Sequence, residues 1–200
     1  MLSSMLAPSF PIYSTLVYHS RRCCRGLDPK IDQVQDLIED LKLGDVEATR
    51  ICARALAGHP SLQGWRGTVV PAPRSAAGRP SLLGLARALV AEGVGSHAAE
   101  LVVRETPVES SRLRRKSGLE GVSIEDHVQS LRACSFQEDD AVLIVDDVVT
   151  TGATIRAAGW ALRLAGYQGP LYGAAAAHYE PKVALSYRPI AYIELGMKYG

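Results

Sequence analysis

Net charge, cysteine and long apolar runs are all scarce in this 200-residue chain. The formal net charge is only +1, so no overall field attracts the protein to nucleic acid or to an anionic membrane. The four cysteines include no CxxC pair, which argues against a zinc site and is typical of a reduced cytosolic protein. No apolar run approaches the roughly 18 residues of a membrane span, and the N-terminal segment has no basic start and is interrupted by Pro8 and Pro11. We therefore expect a cytoplasmic protein with no membrane partner and no direct binding to nucleic acid.

The rest of the composition is that of one globular domain, with 47% hydrophobic and 22% charged residues. Near the N-terminus, Asp28-Pro29 begins a helical repeat of apolar residues that Gly44 ends, and Asp45 begins a second helix. Predicted strands cover residues 12–19, 67–71, 101–103, 141–145, 171–178 and 190–193, and further helices cover 82–90 and 153–164. This alternation predicts an α/β fold with an open, mostly parallel sheet flanked by crossover helices.

The stretch VLIVDDVVTTGAT, residues 142–154, places two acids at the end of a predicted buried strand, directly before a turn rich in hydroxyls. The simplest interpretation is a core strand that happens to end in Asp146 and Asp147. Buried carboxylates, however, cost free energy unless a cation, a hydroxyl or an N–H group meets them. A nucleoside triphosphatase acid would need an upstream GxxxxGK[ST] loop, which the chain lacks. A phosphorelay receiver has its acids near the start of its domain, whereas these lie in the last third of the chain. A ligand site at the strand end is the interpretation that remains.

The turn at residues 150–154 has the composition of a phosphate-binding loop. It lies between a predicted strand and a predicted helix, so its backbone N–H groups and hydroxyls can surround a phosphate at the positive end of the helix. Gly152 allows the backbone to approach that phosphate closely. The carboxylates of Asp146 and Asp147 can then accept hydrogen bonds from sugar hydroxyls. Together these groups predict a site for a ribose 5-phosphate.

The same stretch resembles the phosphoribosyl pyrophosphate (PRPP) signature of type I phosphoribosyltransferases. The resemblance implies that Asp146 and Asp147 hold the ribose 2- and 3-hydroxyls, and that Mg²⁺ is held through PRPP without direct protein ligands. It implies that the 5-phosphate binds to Thr150, Thr151, Gly152, Ala153 and Thr154. The implied reaction transfers the ribosyl 5-phosphate group to or from a nitrogenous base or amine, with pyrophosphate as the leaving group. Several members of this superfamily sense PRPP or a nucleotide without catalysis, so a regulatory role stays open.

Two other segments match parts of that family. The loop after the strand at 67–71 corresponds to a pyrophosphate-binding loop, in which Arg74 and Ser75 would contact the diphosphate; taken alone, it is equally well a surface turn. The polar segment 104–127 corresponds to a mobile loop that closes over the reacting carbons, and a solvated, disordered loop is compatible with that role. Four of its cations fall within five residues: Arg112, Arg114, Arg115 and Lys116. The predicted catalytic residues are Asp146, Asp147, Arg74 and Arg114.

In outline the chain is similar to the competence-protein ComF group of phosphoribosyltransferase-like proteins, over roughly residues 67–178. It departs from that group because Cys23-Cys24 is no zinc knuckle and residues 78–82 replace an Arg-Gly-Phe-Asn-Gln run. The resemblance implies one domain over residues 1–200 with a small hood formed by both terminal segments. Residues 1–66 form an N-terminal strand and helical segment that also contributes to the hood, residues 67–178 form the core, and residues 179–200 form the C-terminal hood segment. In that hood Tyr179, Tyr187 and Tyr192 are candidates either for stacking on an acceptor ring or for packing. The implied partners are PRPP, a nitrogenous acceptor or a nucleoside monophosphate, and a second copy in a homodimer.

Overall fold

The structure is a computed structural model that describes residues 9–19, 28–74, 80–108, 123–134 and 141–180. The strands are β1 (Ile12–Tyr18), β2 (Thr68–Pro71), β3 (His97–Ala98), β4 (Val102–Arg104), β5 (Leu131–Ala133), β6 (Val142–Val149) and β7 (Leu171–Tyr179). The helices are α1 (Pro29–Leu43), α2 (Val46–Ala57), α3 (Leu83–Ala91), α4 (Ile124–Gln129) and α5 (Ala153–Leu164), with a 3₁₀ turn at Pro60–Leu62. The predicted helix at 153–164 is confirmed to the residue.

The main sheet has the strand order β1-β7-β6-β2-β3, and each neighbouring pair is parallel. The prediction of an α/β fold with a mostly parallel sheet flanked by helices is therefore confirmed at this level. The chain runs outward from β2 to β3 and then returns to β6 on the other side of β2. Such a reversal opens a crevice at the carboxyl ends of the two strands, and ligands bind in that crevice in open α/β sheets.

Local signals explain where the first helices begin and end. The side chain of Asp28 accepts a hydrogen bond from the Lys30 N–H at 2.8 Å, and Asp45 caps α2 through the Ala48 N–H at 2.8 Å. Between the two helices, Gly44 has φ +81, in the left-handed region that glycine adopts without strain. These caps confirm the predicted starts of both helices.

The core lies on both faces of the sheet because side chains alternate along β6. Leu143 and Val145 pack into a cluster that includes α1, α2 and α3, whereas Val142 and Ile144 pack into a second cluster with α5. The next strand, β7, contributes a run of fully buried alanines at 174–177. Small side chains there let helices approach the sheet closely on either side.

Some predicted elements were wrong in place or extent. The strand predicted at 101–103 does not join the main sheet, because β4 pairs antiparallel with β5 in a separate two-stranded sheet. The polar segment 104–127, predicted as one long loop, overlaps the start of α4 at its C-terminal end. The strand predicted at 141–145 continues to Val149 because β7 pairs with it along its whole length.

The described N-terminal residues belong to the core layers. Strand β1 is the edge strand of the main sheet, parallel to β7, and α1 and α2 contribute apolar side chains to the cluster on one face. The predicted strand at 190–193 and the hood segment beyond residue 180 lie outside the described residues. A hood from the terminal segments therefore stays a prediction. Within the described ranges, no helix is both long enough and apolar enough to cross a bilayer.

Candidate functional site

The two acids of β6 point to opposite faces of the sheet. Because they are adjacent in a strand, Asp146 faces the α5 side and Asp147 faces the side of α1–α3. Asp147 is 8% exposed and its charge contributes to raising the pKa of the buried Cys52 thiol on α2 to about 12, after the larger effect of burial. The two carboxylates therefore lie on opposite faces of the sheet, although their residues are adjacent in the sequence.

A polar cavity lies where β6 meets α5. Its lining combines the end of β6, the turn that follows, and one side chain from α4: His127, Asp146, Val148, Val149, Thr150, Thr151, Gly152, Ala153 and Thr154. The structure therefore brings all five predicted phosphate-loop residues together with Asp146 around one space. Arg74 and Asp147 do not line it.

The turn at 150–154 is shaped by Gly152. This residue has φ +76, in the left-handed region, and a Cβ added there would lie 2.7 Å from Ile12 Cδ1 on β1. After it, the Arg156 N–H donates to the Gly152 carbonyl at 2.9 Å, so α5 begins immediately, and Thr151 Oγ1 accepts from the Ala153 N–H at 3.3 Å. The first turn of α5 thus directs N–H groups that lack helical acceptors toward the cavity, where an anion can accept from them.

Asp146 has an unusual electrostatic environment. Burial, followed by the charge of Asp147, raises its pKa from 3.8 to about 7, even though its Oδ1 accepts a 2.8 Å hydrogen bond from the Asp147 N–H. No Lys or Arg of the described ranges forms an ion pair with it. A carboxylate in this state gains free energy from any cation or hydroxyl donor that enters the cavity.

Arg74 occupies the other side of the crevice, just after β2. The segment is held against β6 because the Ala72 N–H donates to the Val145 carbonyl at 2.7 Å. The Arg74 guanidinium forms an ion pair with Asp147, and its Nε donates to the Pro80 carbonyl at 3.2 Å. Two predicted site residues 73 positions apart are thereby in direct contact at the topological reversal.

Sequence reasoning missed a cluster of polar residues beside the cavity. Arg104, at the end of β4, donates from Nε to the Arg74 carbonyl at 2.8 Å and also contacts Ser130, while its Nη2 lies 3.4 Å from His127 Nδ1. Burial lowers the Arg104 pKa, and burial followed by the charge of Arg104 lowers the His127 pKa. A signal was present, since Ser123 and Asp126 have the spacing of a capping box and predict the helix that carries His127.

Several residues with predicted roles lie outside the described ranges: Ser75, Arg112, Arg114, Arg115, Lys116, Tyr187 and Tyr192. Their assigned roles stay predictions. Tyr179 is described, and its ring centroid lies 6.4 Å from that of Tyr18 on the neighbouring strand, which is a packing contact.

Comparisons with known proteins add no family name to this geometry. No protein-family model matches the chain, and no curated protein matches it significantly. The contacts in the crevice between β2 and β6 are accordingly the basis for a functional proposal.

Proposed function

We propose that the protein is a phosphoribosyltransferase that uses PRPP with Mg²⁺ and transfers the ribosyl 5-phosphate group to or from a nitrogenous base or amine. The observation that carries the proposal is the cavity between β6 and α5, where an acid of raised pKa faces a phosphate-binding turn. Arg74 at the neighbouring strand end supplies a cation for the leaving pyrophosphate. The three groups lie at the crevice where ligands bind in sheets of this kind.

The phosphate end of the ligand is matched by the turn at 150–154. Its glycine allows close approach, the threonine hydroxyls can donate, and the start of α5 offers N–H groups and the positive end of a helix dipole. The polar lining contains no Lys or Arg among the described residues. Binding there depends on backbone and hydroxyl donors, so a negative side chain introduced into the turn should exclude phosphate.

The sugar end is matched by Asp146. Oxygen donors suit Mg²⁺, and Asp146 provides a carboxylate that lacks an ion-pair partner in the described ranges, next to the hydroxyls of the turn. The residues therefore fit a magnesium ion held largely through PRPP, with Asp146 contacting the sugar hydroxyls. When bound, the ion would neutralise charge that develops on the departing pyrophosphate.

The Arg74–Asp147 ion pair has a role in this scheme. When a diphosphate enters the crevice, Arg74 exchanges one anionic partner for another and frees Asp147 to accept a hydrogen bond from a ribose hydroxyl. The bond between ribose C1 and the pyrophosphate oxygen then breaks as a nitrogen acceptor attacks from the opposite face. The protein contributes position and charge complementarity to this displacement.

A non-catalytic sensor of PRPP or a nucleotide is the second candidate. The observation that favours it is the closed Arg74–Asp147 pair, because the cavity beside it suffices to bind a monophosphate while the pyrophosphate cation is already neutralised. A sensor needs the phosphate turn but no leaving-group site. The two candidates differ in whether the ion pair between Arg74 and Asp147 breaks when a ligand binds.

The first test is a thermal shift with Mg²⁺ and PRPP. A ligand specific for the folded state stabilises it by about 2.7 kcal/mol at 100 times its dissociation constant. Thr151→Asp should abolish the shift because it places a carboxylate in the phosphate turn. Ser61→Asp adds the same charge at an exposed position of the 3₁₀ turn before β2, outside the lining of the cavity, and should preserve the shift. A wild type without any shift at millimolar PRPP or nucleoside monophosphate would refute the assigned site.

The second test separates enzyme from sensor. Alanine at Arg112, Arg114, Arg115 and Lys116 together should hardly change stability if these residues are exposed, as their polar composition predicts, since exposed substitutions usually stay within about 0.5 kcal/mol each. In an enzyme whose loop closes over the transition state, pyrophosphate formation should fall far more than affinity for nucleoside monophosphate. If pyrophosphate formation and monophosphate affinity fell equally, the loop would not act as a lid. If the wild type formed no pyrophosphate at all, the sensor would be favoured.

A further inference from the structure

We infer that His127 is a ligand-binding residue of the phosphate cavity, which donates a hydrogen bond from Nε2 to the bound phosphate, and that Arg104 sets the tautomer required for it. The inference rests on the proposed phosphate site and adds a residue that lies outside the VLIVDDVVTTGAT stretch. His127 comes from α4, yet its ring lines the same cavity as the turn at 150–154.

Arg104 determines which ring nitrogen carries the proton. A guanidinium can only donate, so the contact between Arg104 Nη2 and His127 Nδ1 at 3.4 Å makes Nδ1 the acceptor. The neutral ring must then carry its proton on Nε2. A second proton on Nδ1 would face the Arg104 cation, and burial together with that cation lowers the His127 pKa, so the neutral form is favoured.

The Nε2–H group is available for a ligand. His127 is 7% exposed, and within the described ranges its ring forms no hydrogen bond other than the one to Arg104. A phosphate oxygen that enters the cavity can accept a hydrogen bond from this N–H. The phosphate turn otherwise offers only backbone and hydroxyl donors, so the ring N–H adds a side-chain donor from α4.

The short helix α4 is held firmly enough to position the ring. Its start carries a capping box, in which Ser123 and Asp126 exchange hydrogen bonds of 3.0 and 3.1 Å. The residue after the histidine, Val128, packs in a cluster with Ala157 and Trp160 of α5. The helix that carries His127 is thus docked on the helix whose first turn forms the phosphate site.

Arg104 itself is held by neutral groups. Its donors meet the carbonyls of Arg74 and Pro73 and the hydroxyl of Ser130, and no carboxylate of the described ranges forms an ion pair with it. One half-buried cation therefore contacts both the backbone of the predicted pyrophosphate loop and the ring of a residue that lines the cavity. Arg104 is therefore placed to orient the His127 ring. Its positive charge also contributes to the electrostatic potential in the cavity.

The experiment combines calorimetry with nitrogen NMR of the histidine rings. In titrations with ribose 5-phosphate, His127→Leu should weaken binding by about ten- to hundred-fold, which is the loss typical of a hydrogen bond to a charged group. His127→Gln should retain most of the affinity, because its amide N–H can replace the ring donor. His97→Gln changes a histidine that bonds to Thr68 at the other edge of the sheet, and should bind as wild type does. Equal affinity of His127→Leu and wild type would overturn the inference and leave the phosphate site intact.

The NMR arm keeps the test decisive if a variant fails to fold. In the free wild-type protein the His127 signals should show a protonated Nε2 and an unprotonated Nδ1, and Arg104→Leu should weaken that preference to the ordinary bias of a free imidazole. Ribose 5-phosphate should shift the Nε2 signal. A protonated Nδ1 in the free protein, or an Nε2 signal that ligand does not move, would overturn the role of His127. A wild type that binds neither ribose 5-phosphate nor PRPP would instead refute the phosphate site itself.

Discussion

Replacing Asp146 with asparagine should stabilise the ligand-free protein above neutral pH. The carboxyl has a pKa of about 7 in the folded state, against an ordinary value of 3.8, because of its burial and the charge of Asp147. At ~1.36 kcal/mol per pKa unit, this difference corresponds to at most about 4 kcal/mol of stability lost when the group ionises. Asparagine keeps an oxygen that can accept from the Asp147 N–H, but carries no charge.

The pH dependence follows from the direction of the shift. Between its ordinary pKa of 3.8 and about 7, the folded protein holds a proton that the unfolded chain has lost, so stability falls as the pH rises through this window. Below it both states are protonated and the variant should resemble wild type. Above this pH window, Asp146→Asn should be more stable than wild type by up to about 4 kcal/mol.

Urea unfolding at about pH 4 and about pH 8 measures this directly, because the midpoint reports stability when the slope is unchanged. Asp147→Asn is the matched control: it removes the partner of Arg74, leaves a mostly buried cation without its carboxylate, and should destabilise the protein. Binding of Mg²⁺ with PRPP should weaken in both variants. If Asp146→Asn is no more stable than wild type at about pH 8, the raised pKa and the case for a functional acid both fail.

Two further substitutions test the local geometry. Gly152→Ala should abolish the ligand-induced thermal shift and destabilise the protein by more than about 1 kcal/mol, because the position combines a positive φ with a close contact to Ile12. The control is Gly166→Ala, where φ is +99 and the space around the glycine is open. In the same melting experiment it should show only the backbone penalty of roughly 1 kcal/mol and keep the ligand shift. Ser123→Ala removes one half of the capping box with Asp126 and should lower stability by about 1 kcal/mol, with faster amide exchange in α4; unchanged exchange there would show that packing alone holds this helix.

The sequence predicted the central layers of the fold well because local and periodic signals agree there. Asp28, Gly44 and Asp45 specify caps through contacts within a few residues, so their helices can be predicted without knowing the rest of the structure. The turn at 150–154 likewise combines a glycine with hydroxyl residues in a fixed order, and it lies at the cavity as expected.

Other features depend on partners that are distant along the chain. The contact of Arg74 with Asp147 spans 73 positions, and no local pattern indicates that these two residues meet. Pairing of β4 with β5 removes a predicted strand from the main sheet, and only that pairing brings the end of β4 next to α4. His127 was missed for the same reason, since its helix is brought to the site by packing against α5, which lies about 30 residues later in the chain.

The parallel pairing of β1 with β7 has a consequence for when the proposed ligand site is completed during synthesis. Ser14 on β1 bonds to His178 on β7 at 3.1 Å, 164 positions later, so β1 cannot take its place in the sheet until β7 has been synthesised. Ile12 on β1 also packs where Gly152 bends the phosphate turn. Until β1 pairs with β7, the turn lacks the Ile12 side chain that lies against it, so under the proposed function the chain should bind ligand only after this edge of the sheet has closed.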